Sequence, residues 1–553
     1  MKKLLCTILA AALLAGCTAA PAQTTPPPES VSAADFETKW ADSGHVRILL
    51  DDTIPAVTLP EGMDENAVTI ANDIVYYEDG HDETYGEGEE GESHSAAEAA
   101  KHTVVHINAP GTYVLTGKLS AGQVAVDLGG EAEEDPNAVV TLILDGVDIT
   151  CTVAPAVIFY NVYECGDKDN PTATVDTSAA GANVILAEGS VNNVTGSHVA
   201  RIYKPETVID GNTENAKKLH KYDAAFYSKM SMNVGGEGSL NITADNEGLD
   251  SELHLTINGG EISIQAGNDG INTNEDGVSV TTINGGTLRI EVTGSTGEGD
   301  GIDSNGWLVI NGGTVYASAC GFSGDAGIDS DMGIQLGGGT VCASGNMLDR
   351  IEDGGQTHAV FTFAQSQQPG TYTLKNADGE AVVEFAAANA FQYLILSSPA
   401  LTEGSYTLWS GDTQFQGYAS AGMGGMGGFR GDGAEIIDRP EWPDRGDGDV
   451  QIPPQPSNPV VTQGTAQTPP QGEIPENMPV PDFSEGFAPG QMPASPMPQG
   501  GEEMPMPDMP EGVQPPQGGG FQGQFFQPGT AELTTQFAIV QGANYFSFVT
   551  PAE

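Results

Sequence analysis

A glycine-rich motif recurs every 26 or 27 residues between positions 258 and 339, and this spacing limits the chain to few folds. Its four copies are Asn258-Gly259-Gly260, Asn284-Gly285-Gly286, Asn311-Gly312-Gly313 and Gly337-Gly338-Gly339. Each copy lies between short runs in which apolar residues alternate. Alternation with period two is typical of strands buried on one face, and a glycine pair permits a sharp corner. One unit cannot bury its apolar face alone, whereas stacked units can. The repeat therefore predicts an all-β, right-handed parallel β-helix.

A second motif recurs within the same repeats and places acidic side chains in one column. Its copies are Glu247-Gly248-Leu249-Asp250, Asp269-Gly270-Ile271-Asn272, Asp300-Gly301-Ile302-Asp303 and Ala326-Gly327-Ile328-Asp329. The leucine or isoleucine points inward by the alternation, so the residue after it points outward. We therefore expect an outer column of Asp250, Asn272, Asp303 and Asp329.

Carboxylates stacked in such a column repel one another unless a cation lies between them. Neighbouring strands are about 4.8 Å apart, where two like charges repel by ~3–4 kcal/mol at an effective dielectric of 20. Calcium is a hard cation that takes oxygen ligands from carboxylates and amides. The predicted calcium ligands are Asn246, Asp250, Asp269, Asn272, Asp300, Asp303, Asp325 and Asp329. A hydrogen-bonded column without metal remains the alternative.

The beginning of the chain predicts export and lipid attachment. Residues 1–16 have the positive start and short apolar run of a signal peptide. Leu14-Ala15-Gly16-Cys17 resembles a bacterial lipobox, which would make Cys17 the lipidated first residue of the mature protein. We expect the lipid to be the only membrane contact and the protein to lie on the extracellular face of the bacterial cell membrane. Residues 17–45 are expected to form a flexible tether.

The remaining chain divides by composition. Residues 46–355 are assigned to the β-helix domain. Residues 356–421 contain strand-like runs separated by turns, which predict a small antiparallel β-sandwich-like module. Residues 422–530 are rich in Gly, Pro, Met and Gln and are expected to be disordered. Residues 531–550 regain strand character, and because an isolated hairpin is unstable we expect them to complete the 356–421 module.

Charge and cysteine content exclude some classes of protein. A net charge of −57 disfavours nucleic-acid binding. Besides Cys6 in the signal peptide and Cys17, four cysteines remain, too few for a disulfide scaffold in a chain of 553 residues. Aligning the glycine corners places Cys342 opposite Tyr316, so Cys320 and Cys342 are predicted to be too far apart for a disulfide.

The chain resembles, in the run INTNEDGVSVTTINGGTLRIEVTGSTGEGDGIDSNGWLVINGGTVYASA, the bacterial carbohydrate-binding β-helix family typified by a clostridial cellulose- and polygalacturonate-binding protein. The runs GTYVLTGKLSAGQVAVDLG and YLILSSPALTEGSYTLWSG are similar to the same family. The resemblance covers roughly residues 46–421 and the last strand. It implies a fold like that of calcium-dependent pectate lyases and calcium bound at acidic positions.

We expect the chain to bind a polysaccharide, most simply an acidic, pectin-like or plant cell-wall glycan, and not to be an enzyme. Trp307 and Tyr316 each neighbour an inward-facing residue, so both are predicted to face outward as platforms for sugar rings. Calcium would connect the carboxylates of an acidic glycan to the acidic column, which would reconcile an acidic protein with an acidic ligand.

Two other functions remain open. A calcium-dependent pectate lyase needs a Lys or Arg base beside the metal. Arg289 is the only Lys or Arg within residues 235–346, and the upstream residues Lys217, Lys218, Lys221 and Lys229 could serve only if the 200–222 loop folds over the acidic face. An adhesin or structural surface protein is suggested by Arg430-Gly431-Asp432 and Arg445-Gly446-Asp447, which match an integrin-type tripeptide.

Overall fold

The computed structural model describes residues 33–72, 74, 96–197, 202–203, 218–220, 222–420 and 532–552. In these ranges the α-helices are α1 (Ala33–Trp40) and α2 (Ala96–Ala99), and a 3-10 turn covers Ala132–Glu134. The other regular elements there are strands, so the prediction of an almost entirely β chain is confirmed. None of the described helices has the length and apolar character needed to cross a membrane.

The strands are short and follow one another closely. Up to residue 251 they are β1 (Val46–Leu50), β2 (Ala56–Thr58), β3 (Val68–Ala71), β4 (Thr103–Ile107), β5 (Gly111–Leu119), β6 (Gly122–Asp127), β7 (Val140–Thr150), β8 (Val157–Asn161), β9 (Ala182–Leu186), β10 (Val191–Gly196), β11 (Ile202–Tyr203), β12 (Lys218–His220), β13 (Ala224–Ser228), β14 (Met232–Gly236), β15 (Ser239–Ala244) and β16 (Glu247–Ser251). The repeat region continues with β17 (His254–Ile257), β18 (Glu261–Ala266), β19 (Ile271–Thr273), β20 (Val280–Ile283), β21 (Thr287–Val292), β22 (Trp307–Ile310), β23 (Thr314–Ser318), β24 (Gly333–Leu336) and β25 (Thr340–Gly345). The last strands are β26 (His358–Gln367), β27 (Gly370–Lys375), β28 (Ala381–Ala387), β29 (Phe391–Ser397), β30 (Gly404–Ser410), β31 (Thr413–Ser420), β32 (Phe537–Ile539) and β33 (Ala543–Pro551).

Most strands before residue 346 pair in parallel with a strand of the next repeat, in three ladders. The first ladder contains β5, β7, β9, β14, β17, β20, β22 and β24. The second contains the ends of β5 and β7, then β10, β15, β18, β21, β23 and β25. The third contains β4, β6, β8, β13, β16 and β19. From β14 to β19 the chain visits the first, second and third ladder in turn, twice.

The register of the ladders agrees with the alignment of the repeats. Ile257, Ile283, Ile310 and Leu336 are consecutive partners in the first ladder, and each is at most 1% exposed. In the second ladder Tyr316 pairs with Cys342, as predicted. Cys151, Cys165, Cys320 and Cys342 are all free thiols. The inward side chains of the three ladders form one continuous apolar core.

The glycine corners stack directly on one another. Gly286 has a φ of +83°, and a Cβ atom there would lie 2.6 Å from the carbonyl oxygen of Gly260. Gly313, with a φ of +75°, has the same relation to Gly286 at 2.8 Å. The second glycine of these two corners is therefore required both by its backbone conformation and by the close approach of the preceding repeat.

The tether expected over residues 17–45 is wrong for its last part, because α1 packs on the ladders. Phe36 is fully buried in a small cluster with Val114 and Ile143. The side chains of Val114 and Ile143 point away from the main core, whereas their neighbours along each strand point into it. Lys39 Nζ donates a hydrogen bond to one oxygen of Asp145 at 2.8 Å, and Trp40 Nε1 donates to the other at 2.7 Å. The outward apolar side chains need a cover, and α1 provides it.

Strands β26 to β33 form a mainly antiparallel module with its own aromatic core. Phe361, Phe391 and Phe537 are fully buried in it. The last strand, β33, lies parallel to β26 and antiparallel to β31, so the end of the chain completes this module. Strand β29 also pairs antiparallel with β25, which covers the edge of the second ladder.

Several predictions concern residues outside the described ranges. They are the signal peptide over 1–16, lipidation of Cys17, the first part of the tether, and the 422–530 insertion with both Arg-Gly-Asp sequences. They stay predictions.

Candidate metal centre and glycan surface

The acidic column predicted from the second motif has the expected register. Asp250 pairs with Asn272 between β16 and β19. Ile271 then forms a parallel bridge with Ile302, and the Asp303 N–H donates to the Ile271 carbonyl at 2.8 Å. The Asp329 N–H in turn donates to the Ile302 carbonyl at 2.7 Å. Consecutive repeats therefore present Asp250, Asn272, Asp303 and Asp329 one above another.

A first acidic cluster lies at the start of this column. One carboxylate oxygen from each of Asp223, Glu247 and Asp250 lies within 4.8 Å of the other two. Asp250 is fully buried and Glu247 is 1% exposed. Sequence reasoning found Asp250 but missed the other two. Glu247 occupies the same motif position as Asp269 and Asp300, so the alignment already contained its signal, whereas Asp223 precedes the first copy of the motif.

Two asparagines complete the oxygen-rich surroundings of the first cluster. Asn272 Nδ2 donates to Glu247 Oε1 at 3.0 Å, and Asn274 Nδ2 lies 3.1 Å from both oxygens of Asp250. Because the amide nitrogens must face the carboxylates, the orientation of both amides is fixed. The Oδ1 atoms of Asn272 and Asn274 are then buried without a hydrogen-bond donor. Such an atom normally has a partner, and a cation would provide one.

A second acidic cluster lies further along the column. Carboxylate oxygens of Asp300, Asp303 and Asp329 lie within 4.8 Å of one another. Burial raises the pKa of Asp300 to about 9, and the charge of Asp329 contributes. Burial also raises the pKa of Asp329 to about 7, with Asp349 as the next cause. The cluster therefore holds its negative charge at a high electrostatic cost, which a bound cation would offset.

Asp269 interacts electrostatically with acidic groups of both clusters. It is 9% exposed, and burial, followed by the charges of Glu247 and Asp300, raises its pKa well above the usual range. Its carboxylate accepts the Asp300 N–H at 2.6 Å. Asp269 thus links consecutive repeats and adds negative charge to both clusters.

Two other predicted ligands have different contacts. Asp325 accepts the Gly299 N–H at 2.8 Å and the Ser323 hydroxyl. Asn246 is half-buried, and its backbone carbonyl accepts the N–H groups of Gly267 and Asn268. Neither residue belongs to the two clusters of three acidic groups found in the described ranges.

The two predicted sugar platforms have different surroundings. Trp307 is half-buried on the outer face, beside the fully buried Leu308. Tyr316 stacks on Phe385 of the C-terminal module, with ring centroids 6.2 Å apart and planes at 9°. The Arg289 guanidinium also lies over the Tyr316 ring, 4.7 Å from its centroid. The prediction of Tyr316 as an open platform is therefore wrong, because the C-terminal module packs on this column of the second ladder.

The position of Arg289 also bears on lyase chemistry. Arg289 lies on β21 in the second ladder and stacks on Tyr316. The acidic clusters lie instead on the third ladder and on the column that continues it beyond β19. A base for proton abstraction must reach the substrate beside the metal. Arg289 does not occupy such a position.

Two comparisons match proteins that are described by a carbohydrate-binding domain. A family model described as carbohydrate-binding domain-containing protein matches residues 101–359, which include both acidic clusters. A carbohydrate-binding domain-containing protein of Acetivibrio thermocellus is 29% identical over 163 residues. That match covers 29% of this chain and 45% of the relative, so the chain spans less than half the length of this relative.

One solved structure is also similar. It is described as the polysaccharide lyase-like protein from C. thermocellum, in a gadolinium derivative. It has 21% sequence identity and a TM-score of 0.31, and the match covers 53% of this chain and 83% of that one.

Proposed function

We propose that this chain is a polysaccharide-binding protein that does not cleave its ligand. The observation that carries the proposal is the similarity of residues 101–359 to a carbohydrate-binding domain model. That interval contains the two acidic clusters, the half-buried Trp307 and most of the three ladders. The favoured ligand is an acidic, pectin-like glycan held at the acidic column.

The proposed architecture of the binding domain is a right-handed parallel β-helix over residues 46–355. The pairings of the three ladders support it, since the chain enters them in a constant order and each pass pairs with the next. Right-handed crossovers between parallel strands are almost universal, so the same hand is proposed here. Residues 356–421 and 531–550 would form the C-terminal module that covers one end.

Calcium is the proposed metal of the acidic column. The residues fit calcium. Asn272 is 2% exposed, and its Oδ1 atom has no hydrogen-bond donor. This atom lies beside carboxylates whose oxygens are within 4.8 Å of one another. Asp223, Glu247, Asp250, Asn272 and Asn274 would hold one ion, and Asp300, Asp303 and Asp329 another. Hard oxygen donors and the absence of thiol or imidazole groups from both clusters favour calcium over zinc. When bound, the cation would neutralise the carboxylates and attract anionic sugars.

The proposed location is the extracellular face of the cell membrane. Cys17 would carry the lipid, and α1 would fix the point at which the tether leaves the domain. Acyl labelling of the expressed protein tests this assignment. We expect the wild type to incorporate the acyl label and the Cys17→Ser variant to incorporate none.

A glycan panel read with calcium and with chelator tests the proposed function. The full chain should bind polygalacturonate in calcium and lose most of that binding in chelator. The double change Asp303→Asn and Asp329→Asn should weaken binding at least about tenfold. Glu291→Gln is the matched control, because it removes an exposed acidic group on the second ladder. Equal binding by wild type and double variant would overturn the role of the column. Steady release of unsaturated sugar would overturn the non-enzymatic assignment.

A further inference from the structure

The two acidic clusters differ in how far solvent reaches them. In the first cluster Asp250 is fully buried and Glu247 is 1% exposed, and the neighbouring Asn272 is 2% exposed. In the second cluster all three aspartates are half-buried. Both clusters belong to the same outer column, so the difference in exposure must come from what covers each of them.

Two tyrosines cover the first cluster on the side of the preceding repeat. Tyr227 pairs with Asp250 in the third ladder and is fully buried. Its hydroxyl donates to Glu252 Oε1 at 2.6 Å. Tyr222 is 1% exposed and directly precedes Asp223 of the cluster. The rings of Tyr222 and Tyr227 meet edge to face, with centroids 5.1 Å apart. The two rings therefore keep water away from this side of the first cluster.

The first cluster also supplies most of the oxygen atoms that calcium needs. Each of its three carboxylates offers one oxygen to a common point, and the Oδ1 atoms of Asn272 and Asn274 are buried without a hydrogen-bond donor. Calcium takes about six to eight oxygen ligands. With three carboxylates and two amides as ligands, an ion in the first cluster would keep few positions for water.

The second cluster offers fewer protein oxygens. One oxygen from each of Asp300, Asp303 and Asp329 would leave about three or more positions on a calcium ion. Since these side chains are half-buried, water or a ligand can reach those positions. A carboxylate of a ligand is the kind of oxygen donor that calcium prefers.

An exposed aromatic ring lies on the loop that leads into the second cluster. Phe322 is 70% exposed. Three residues later, the Asp325 carboxylate accepts the Gly299 N–H at 2.8 Å. The Ala326 N–H then donates to the Asp300 carboxylate. These bonds fix the loop beside Asp300. An apolar ring that remains in water can bury its face against the apolar face of a sugar.

We propose that the two clusters hold ions with different roles. The first cluster holds a closed, structural ion that does not touch the glycan. The second cluster holds an open ion at which the carboxylate of a uronate takes the remaining positions, while an adjacent sugar ring packs on Phe322. The inference rests on the proposed function and deepens it, because it assigns the ligand to one of the two clusters.

Terbium luminescence tests the division of roles. Terbium is a hard cation that takes oxygen ligands as calcium does, and its luminescence lifetimes in H₂O and D₂O give the number of water molecules on the ion. The full chain is loaded with terbium and passed through metal-free buffer. The lifetime that the double variant Asp303→Asn, Asp329→Asn retains belongs to the first cluster. We expect about one water on that ion and about three or more on the ion that the double variant lacks.

A short uronate then reports which ion meets the ligand. Tri-galacturonate should remove at least one water from the ion of the second cluster and none from that of the first. Maltotriose, an uncharged trisaccharide, is the control and should remove water from neither.

Three variants test the same division by affinity for tri-galacturonate in saturating calcium. Glu247→Gln should reduce the stabilisation of the fold by calcium but bind the ligand within about twofold of the wild type. Phe322→Ala should bind about threefold to tenfold more weakly without changing either water count. Phe548→Ala is its matched control, because it removes an exposed phenylalanine of the C-terminal module, and should bind as the wild type does.

The outcomes separate this inference from the proposed function. Equal water counts on the two ions would overturn the division of roles, as would loss of tri-galacturonate binding in a folded Glu247→Gln protein. Either result leaves the proposed function intact if the wild type binds polygalacturonate in calcium. Unchanged affinity in Phe322→Ala would overturn the contact assigned to that ring. Should Glu247→Gln not fold, the double variant decides, because retention of the more hydrated ion would overturn the division. Failure of the wild type to bind any uronate would overturn both proposals.

Discussion

Replacing Asp300 by asparagine should stabilise the metal-free protein near neutral pH while weakening its calcium binding. In the folded, metal-free chain burial raises the pKa of this carboxyl from 3.8 to about 9. The folded state therefore holds the proton more tightly than the unfolded state. The stability that this proton provides is fully present below about pH 4 and is lost as the pH rises through 9. Asparagine keeps the shape of the protonated acid but cannot ionise.

The size of the effect follows from the pKa difference. At pH 7, about three pH units above the unfolded value, the ionisable carboxyl costs the metal-free folded state roughly 4 kcal/mol, at 1.36 kcal/mol per unit. Asp300→Asn removes that cost, so it should raise the free energy of unfolding by up to about 4 kcal/mol in chelator. Its amide oxygen can still accept the Ala326 N–H that Asp300 accepts. In calcium the order should reverse, because the variant has lost one anionic ligand.

Urea unfolding measures this prediction. Wild type, Asp300→Asn and the control Glu291→Gln are unfolded at about pH 5 and about pH 7, in chelator and in calcium. We expect wild-type stability in chelator to fall over this range and the variant to fall less. The reasoning is refuted if wild-type stability in chelator is the same at both pH values, or if the variant is the less stable protein in chelator.

Three further changes test other parts of the structure. In urea unfolding, Gly286→Ala should lower the free energy of unfolding by at least about 2 kcal/mol more than Gly379→Ala does. Both residues have a φ of +83°, but only Gly286 has backbone within 4 Å of a new Cβ atom. Equal losses in the two variants would contradict the stacked corners. Asn272→Leu should weaken calcium binding in calorimetry at least about tenfold, because it removes a buried oxygen from the first cluster; unchanged affinity would exclude that oxygen as a ligand. Phe36→Ala should cost about 3 kcal/mol at the α1 contact and speed hydrogen exchange there; unaltered protection would show that α1 does not depend on this burial.

The repeats carried most of the predictable information. The spacing of the glycine corners predicted which strands pair, down to the partnership of Tyr316 with Cys342. The second motif predicted that Asp303 and Asp329 follow each other in one outer column. A side chain repeated in equivalent positions must meet its counterparts when the repeats stack, so these contacts can be read from sequence.

Contacts between a repeat and a non-repeated segment could not be predicted in this way. Tyr316 alternates outward as expected, but the module that covers it comes from residues far along the chain. Helix α1 is only eight residues long, and it forms because Phe36 finds apolar partners on the ladders, not because of its own sequence pattern. Asp223 lies outside the motif, so its place in the first cluster could not be read from the alignment of the repeats either.

Calcium content tests the central claim most directly. The full chain and the double variant Asp303→Asn, Asp329→Asn are loaded with calcium and passed through metal-free buffer. Bound metal is then measured by elemental analysis. We expect the wild type to retain calcium and the double variant to retain at least one ion fewer. A wild type that retains no more calcium than the variant would contradict the assignment of the acidic column as a calcium site.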